Sequence, residues 1–560
     1  MAIWLTAALA LIPIFAVDAL PSQDGPAHIY VAEMLRLYGD ASLPMIEQYF
    51  DLNWRGQPNL FVYVAAQPLL AVFSPAMAEK ILAASYILLI PCVTLFLSRA
   101  AQRSALLTHL ALWPMLYGFM FFFGFYNYCF GLLLAISGIA CWLRMRRDGE
   151  FWPVAALCVL SITGYFVHLF PLGAMMLFIG VGAAIDFIQK PGARWRQRGD
   201  WRQTIAWRVV RRILLPPAIA MTPALVLVLS FLAARGGSET AYITDKGQLG
   251  YGLAERFSHV TTLSFNLSFG PLDALISITM ILIGAGAFLA RDRNKSPVVS
   301  TSSTSRPAAL FAGLLLVFSI VFATVPGTIS GHTFVLDRLL PFLYLCLVLW
   351  ILHTNLSRRQ CKILLSGLGV IGLLLPLYRG YQTLSLDNFM RPFRAVADSL
   401  EPNRTLLSIR GARYDDSALF WRPFYRVNAT LHASAALAAQ RRLIDLKIVQ
   451  TNSKIVPLIY RDDINPYWQL PANMDKYPAI ESIPIFENFR LEASLPALDF
   501  KGYQNRSGGR VDYLLVWGPV AKYADTPAGR RFLGKVQDGF SAVPLRAGAD
   551  HLRLFKRRQN

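Results

Sequence analysis

The sequence predicts a polytopic α-helical membrane protein of about eleven transmembrane helices with a C-terminal soluble α/β domain. Three observations predict it: long apolar runs up to about residue 380, basic clusters confined to alternate connections between those runs, and an abrupt change to mixed polar sequence after Tyr381. Composition agrees, since 55% of the 560 residues are hydrophobic and only 16% are charged, where soluble domains carry about 25%.

A span needs roughly 17–25 apolar residues to cross about 30 Å of hydrocarbon. The candidates lie at 2–20, 77–98, 105–123, 125–143, 152–169, 170–188, 213–233, 271–290, 308–325, 335–353 and 363–379. The stretch Pro58–Pro75 resembles a further span, but prolines fence it and Pro68 interrupts it, so it reads as interfacial or re-entrant. The first span has no basic residues before it, which disfavours a cleaved signal peptide despite the small-residue pattern of Val17 and Ala19.

With eleven spans, five basic groups share one side: Arg99 and Arg103; Arg144, Arg146 and Arg147; the run from Lys190 to Arg212; Arg291, Arg293, Lys295 and Arg306; and Arg358, Arg359 and Lys362. The positive-inside rule makes that side the cytoplasm. The N-terminus is then cytoplasmic, while the loops 21–76, 235–270 and 326–334 and everything after about residue 380 face outward. The formal net charge of +20 thus reports orientation in a lipid bilayer, and nucleic acid is excluded as a partner. The expected location is a bacterial inner membrane, with a periplasmic C-terminal domain.

The chain accordingly divides into a multi-span domain, 1–380, that carries the first outer loop, 21–76, and a soluble domain, 381–560. Within the latter, TLLSI at 405–409 and VDYLLVW at 511–517 read as strands, and 391–402 as a short helix ended by Pro402. On the cytoplasmic side, 296–307 is a Ser/Thr-rich linker, and Trp195, Trp201 and Trp207 alternate with arginines as in a segment resting on an anionic leaflet or a plain positive-inside anchor. All six cysteines precede residue 362, so the exported domain holds no disulfide, and none has zinc-site or redox spacing.

The candidate chemistry lies on the outer face. In ALPSQDGPAHIYVAEML, Pro26 suits a first helical turn and Asp24 a cap. Four residues separate Asp24 from His28, which puts both on one helical face, extended by Ala32 with Glu33 beside it. The plainer alternative is a cap and an interfacial imidazole. Tyr126 and Asn127 open a span, His168 sits at a hairpin tip, and Asp337 with Arg338 enters another span. Ionisable groups at such depths are costly unless paired or lining a polar cavity, so their gathering on one face points to a site. Structural pairing or snorkelling is the alternative for each.

A first span, a long outward loop with an early aspartate, many further spans and an outward C-terminal domain together resemble the GT-C class of membrane glycosyltransferases. That class includes protein O-mannosyltransferases and lipid A aminoarabinose transferases. In sequence the resemblance rests on DGPAHIYVAEML and PNLFVYVAAQPLLAVFSPAMAEKIL. It implies a catalytic carboxylate at Asp24. Where many members have a second acid, this chain has Gly25, which leaves Glu33 or Asp18 for any second role.

The implied reaction moves a sugar from a polyprenyl-phosphate donor to an envelope glycan, lipid or protein acceptor on the outer face. In it His28 and Glu33 assist Asp24, while Tyr126, Asn127, His168, Asp337 and Arg338 bind substrate, with Arg338 on the departing phosphate. The class varies in metal use, and no acidic cluster here is dense enough to demand a divalent cation. The readings from other classes are a transporter and a non-catalytic scaffold or binding protein. A transporter is disfavoured by the lack of an inverted repeat and the scarcity of deep charges.

Overall fold

The structure is a computed structural model. It describes residues 2–148, 150–189, 210–235, 256, 260, 267, 271–289, 305–326, 334–354, 356–410, 426–452, 456–466, 500–517, 527–545 and 552–558. Most of the run Lys190–Arg212, with Trp195, Trp201 and Trp207, lies outside the described residues, as do Arg291, Arg293, Lys295, most of the 296–307 linker and most of the loops 235–270 and 326–334.

The chain is a helical, polytopic membrane protein. Among the described residues, eight helices are long and apolar enough to cross a bilayer: Pro75–Ala101, Ala105–Phe123, Tyr126–Asp148, Leu169–Gln189, Leu215–Ala234, Pro307–Thr324, Val335–His353 and Arg358–Ser399. Shorter apolar helices stand at three further predicted spans, Ala2–Phe15, Trp152–Val167 and Leu272–Gly286. The first helix stops at Phe15, short of the predicted residue 20. Asp18 and Pro21 follow immediately, and neither continues an apolar helix. The segment 105–123 runs as two pieces, Ala105–Leu116 and Phe119–Phe123, the first holding Pro114 in its last turn.

Two further segments differ in detail from expectation: Pro68 does not break its segment, which stays too short to span, and 391–402 is no separate helix. The stretch after Pro58 forms a helix, Phe61–Leu70, with Pro68 inside it. Ten residues reach only about 15 Å, half a bilayer core. The predicted separate helix at 391–402 is the tail of one 38-residue helix, Arg358–Ala395, followed by a 3₁₀ turn at Val396–Ser399. Loss of apolar character at residue 381 marks a change of surroundings, and the backbone hydrogen bonds need no break there.

The chain divides into two compact units: Met1–Ile14 with Ala83–Phe121 and Phe125–Gly380, and Phe15–Leu82 with Phe122–Gly124 and Tyr381–Asn560. The first is built from the apolar helices. Polar links inside it include His109, fully buried, whose ring nitrogens meet the hydroxyls of Thr6 at 2.8 Å and Thr94 at 2.9 Å. Arg379 and Asp273 form an ion pair at 2.7 Å with both side chains wholly buried. Removing one partner of such a pair costs about 3–5 kcal/mol, whereas an apolar replacement of both is tolerated far better. Arg379→Leu and Asp273→Leu are therefore each expected to lower the thermal midpoint sharply in detergent, and the double variant to recover most of the loss. Additive losses in the double variant would remove the pair as a linchpin.

The second unit joins sequence from both sides of the apolar helices. Strands β1 (Phe50–Leu52) and β4 (Leu458–Tyr460) pair antiparallel, with Phe50 opposite Tyr460. A five-stranded mixed sheet combines β2 (Thr405–Arg410), β3 (Ile444–Asp445), β5 (Tyr513–Trp517), β6 (Phe540–Val543) and β7 (Leu552–Arg557) in the order β3-β2-β5-β7-β6. Strand β2 runs parallel to β3 and β5, and β7 antiparallel to β5 and β6. The central strand β5 is apolar throughout, Leu514, Leu515 and Val516 being fully buried, as a strand covered on both faces requires.

One core contains Tyr30, Val31, Met34 and Tyr49 from residues 21–76 and Leu406, Leu437, Leu443 and Leu514 from the C-terminal third. Hydrogen bonds tie the same parts. The Tyr30 hydroxyl accepts from the Asp445 amide at 3.0 Å, and the Tyr49 hydroxyl accepts from the Arg510 amide at 3.0 Å. The segment Phe15–Leu82 is thus one part of a folded unit, and its helices need the C-terminal strands to bury their apolar sides.

Candidate functional site

The helix Gly25–Leu37 begins with Asp24 at its N-cap position and proline in its first turn. Its backbone does the usual work, the Asp24 carbonyl accepting from the His28 amide at 3.1 Å. The Asp24 carboxylate, however, makes no capping hydrogen bond to the helix, so it serves elsewhere. Its amide donates to the Phe123 carbonyl at 2.8 Å, which fixes the entry of the helix. That approach explains two glycines. A Cβ on Gly124, whose φ is +89°, would lie 2.4 Å from the Gly25 nitrogen, and one on Gly25 would lie 2.0 Å from Glu79 Oε1. The position after Asp24 thus has no room for the second acid common in the resembled class.

Around Asp24 the second unit assembles three more polar side chains. His28, one turn along, meets the Tyr63 hydroxyl through Nδ1 at 3.0 Å. Its ring stands edge-on to the Tyr63 ring, 5.6 Å between centroids. Tyr63 comes from the short Phe61–Leu70 helix. From the C-terminal third, His432 Nε2 approaches Asp24 Oδ1 at 3.7 Å and lies 3.1 Å from Gln450 Nε2. His432 reaches this place because the segment before it is pinned beside Asp24: the Asn428 amide donates to Gln23 Oε1 at 2.9 Å. Asn428 Oδ1 in turn accepts from the Thr430 amide and hydroxyl, shaping the turn that leads to His432.

Burial sets the electrostatics. It lowers His28 to a pKa of about 4 and, with the charges of Lys447 and His28, lowers His432 to about 3. Both imidazoles are neutral at pH 7, and each offers one donor and one acceptor. Burial and then the Asp24 carboxylate raise the Tyr63 hydroxyl well above its ordinary range, so it stays a neutral donor. Asp445, fully buried beside Ser434, is raised to about 6 by burial. The carboxylate of Asp24 retains 16% exposure, against 5% for His432. A carboxylate ringed by neutral donors and still reachable is suited to take a proton from a hydroxyl.

These shifts predict a pH dependence. An unfolded histidine takes a proton near pH 6.5 while the folded ones stay neutral to about 4 and about 3, so stability is full above pH 6.5 and erodes as pH falls. Asp445 works the other way, because its raised folded pKa favours the folded state as pH falls below 6. Comparing wild type with His432→Gln cancels that term. The wild type is expected to lose more stability between pH 6.5 and 4, the gap growing by at most about 1.4 kcal/mol per pH unit. Parallel melting curves for the two proteins would refute it.

Glu33 does not join this group. Nine residues from Asp24 is half a turn out of phase, and Glu33 is held by Arg36 in two bonds of 2.8 Å. Asp18, the other acid considered for a second role, pairs with Arg394 at 3.3 Å. The remaining predicted residues fall in the first unit. Tyr126 and Asn127 open the helix Tyr126–Asp148 and are both buried. His168 separates the helices Trp152–Val167 and Leu169–Gln189, its Nδ1 accepting from the Phe170 amide at 3.1 Å. Its ring packs edge-on against Tyr128, whose hydroxyl donates to the Arg338 carbonyl at 2.7 Å. The Arg338 guanidinium lies over the Phe125 ring, 4.9 Å from its centre. Asp337 instead lines a cavity of about 20 Å³ with Tyr86 and Tyr128, large enough for one water.

Sequence reasoning missed Tyr63, His432, Gln450 and Lys447. Tyr63 was hidden in an apolar segment, and His432 is one histidine ahead of an alanine-rich helix, with no partner at helical spacing. Among the described residues, no group of three or more His, Cys, Asp or Glu side chains is placed to hold a metal ion. No protein-family model and no curated protein matches the chain.

Proposed function

We propose that this chain is a membrane glycosyltransferase of the GT-C kind, with eleven spans and its second unit on the outer face of a bacterial inner membrane. In this reading it moves a sugar from a polyprenyl-phosphate donor to an acceptor hydroxyl. One observation carries the proposal: Asp24 sits among His28, Tyr63 and His432 in a unit that draws on the first outer loop and the C-terminal third alike. Asp24 is the general base on the acceptor, and neutral Tyr63 and His432 orient the hydroxyl and the sugar. Arg338, Tyr126, Asn127, His168 and Asp337 are the groups proposed for the donor phosphate and its carrier.

Sidedness supports the reading at one point. Arg147 Nη1 donates to the Arg99 carbonyl at 3.4 Å, as expected if the basic ends of the helices Pro75–Ala101 and Tyr126–Asp148 share the cytoplasmic side. Two measurements test the proposal. Membranes containing the protein, supplied with radiolabelled polyprenyl-phosphate sugars, are expected to transfer label where membranes lacking it do not. A phosphatase or fluorescent reporter fused after Asn560 is expected to report an extracytoplasmic C-terminus. Absence of transfer with any carrier-linked sugar supports the binding-protein alternative, and a cytoplasmic reporter removes the outer-face site altogether.

A further inference from the structure

The second unit holds a cavity of about 320 Å³, within the range of about 300–1,000 Å³ typical of small-molecule sites. It lies on the opposite side of the Gly25–Leu37 helix from the Asp24 cluster. Pro26 and Ile29 line it, and at 100° per residue they point roughly 150° away from the face of Asp24 and His28. The opposite wall is the helix Ala433–Arg441, which presents Ala433, Ala436, Leu437 and Gln440 at spacings of three and four. Alanines on that stripe leave the space that larger residues would fill, and Phe393 closes an apolar end.

The polar end is built from buried Ser22 and Glu79 and from the partly exposed Arg394 and exposed Asp18. Glu79, 4% exposed, accepts from the Ser22 hydroxyl at 2.6 Å. Arg394, also on the wall, is balanced by Asp387 at 2.9 Å and Asp18 at 3.3 Å. Lys80, 5% exposed, follows Glu79 in the chain and donates to the Val17 carbonyl. An anionic headgroup would meet the Glu79 carboxylate and an arginine already committed to two acids. A cationic one would meet Arg394 on the wall and the charge of Lys80 behind it. A neutral hydroxylated head satisfies both ends, donating to Glu79 and accepting from Arg394.

We propose that this cavity binds an amphipathic alcohol, with an apolar body along the alanine stripe and a hydroxylated head against Glu79 and Arg394. The site is separate from the Asp24 cluster and stands whether or not sugar transfer occurs there.

The test uses the full chain in lipid nanodiscs, with n-hexyl β-glucoside below micelle-forming concentrations as the probe and hexyl phosphate, hexylammonium and free glucose as comparisons. A ligand that binds only the folded state raises the thermal midpoint in a saturable way. The expected result is a saturable rise with the glucoside and none with the three comparisons. Ala436→Phe, which fills the cavity at a partly exposed position, is expected to weaken the response at least tenfold. Ala436→Leu serves if the larger side chain prevents folding. Glu79→Gln is expected to weaken the glucoside and to narrow the discrimination against hexyl phosphate. Asp24→Asn is expected to leave the response unchanged, which separates this site from the transfer reading. Equal responses from wild type and both Ala436 variants, an equal response to hexyl phosphate or hexylammonium in the wild type, or no response to the glucoside overturns the proposal.

Discussion

Asp24→Asn is expected to lower sugar transfer by about 10²–10⁴-fold, the usual share of a general base, with little change in folding. The asparagine keeps the size of the side chain and its oxygen acceptor, so His432 retains its neighbour. What it loses is the capacity to take the acceptor proton. His28 and His432, which burial holds neutral with pKa values of about 4 and about 3, bring no negative charge to replace the carboxylate's. The measurement is single-turnover transfer of radiolabelled sugar in membranes with matched protein content. Transfer equal to wild type removes Asp24 from the mechanism, whatever the fate of the membrane layout. A loss that follows protein level alone marks Asp24 as structural.

Gly124→Ala is expected to prevent the second unit from folding. Two penalties coincide there. The φ of +89° is a conformation that L-residues adopt only at a cost of about 1–2 kcal/mol, and the new Cβ would lie 2.4 Å from the Gly25 nitrogen and 3.1 Å from its Cα. Backbone on both sides of that contact cannot rotate away, so the strain passes to the Asp24 amide and its bond to Phe123. Gly25→Ala makes an informative comparison, because its Cβ would strike the side chains of Glu79 and Ser22. Truncating Glu79 to alanine is expected to rescue part of that loss, whereas no truncation nearby rescues Gly124→Ala. Gly180→Ala, with nothing within 4 Å of the added Cβ, is the neutral control. The readouts are the yield of folded protein in detergent and protease resistance of the second unit. A well-folded Gly124→Ala protein would show that the helix entry is not fixed by this contact.

The apolar helices were legible because hydrocarbon solvent imposes a length and a composition, and among the described residues eight of them are long enough to cross a bilayer. Their ends were less legible. The apolar run ending near residue 380 suggested a break, yet the helix continues to Ala395, since backbone bonding is indifferent to which solvent the side chains meet. The strands at 405–410 and 513–517 could be read from their short branched runs. Asp24 and His28 were legible because they are four apart on one helix, where spacing alone places side chains together. Glu33 was misplaced for the same local reason, its nine-residue offset being half a turn out of phase.

By itself the sequence determined that the chain is a helical membrane protein and that a carboxylate and an imidazole share one helical face after the first apolar segment. Tertiary structure alone decided that residues 15–82 and 381–560 fold together, that Tyr63 and His432 complete the group around Asp24, and that Glu79 fills the space beside Gly25. The physical reason is range. Solvent and helical period act on neighbouring residues and leave marks in the sequence, whereas Asp24 and His432 meet only because both flanks of the apolar helices bury their hydrophobic sides in one core.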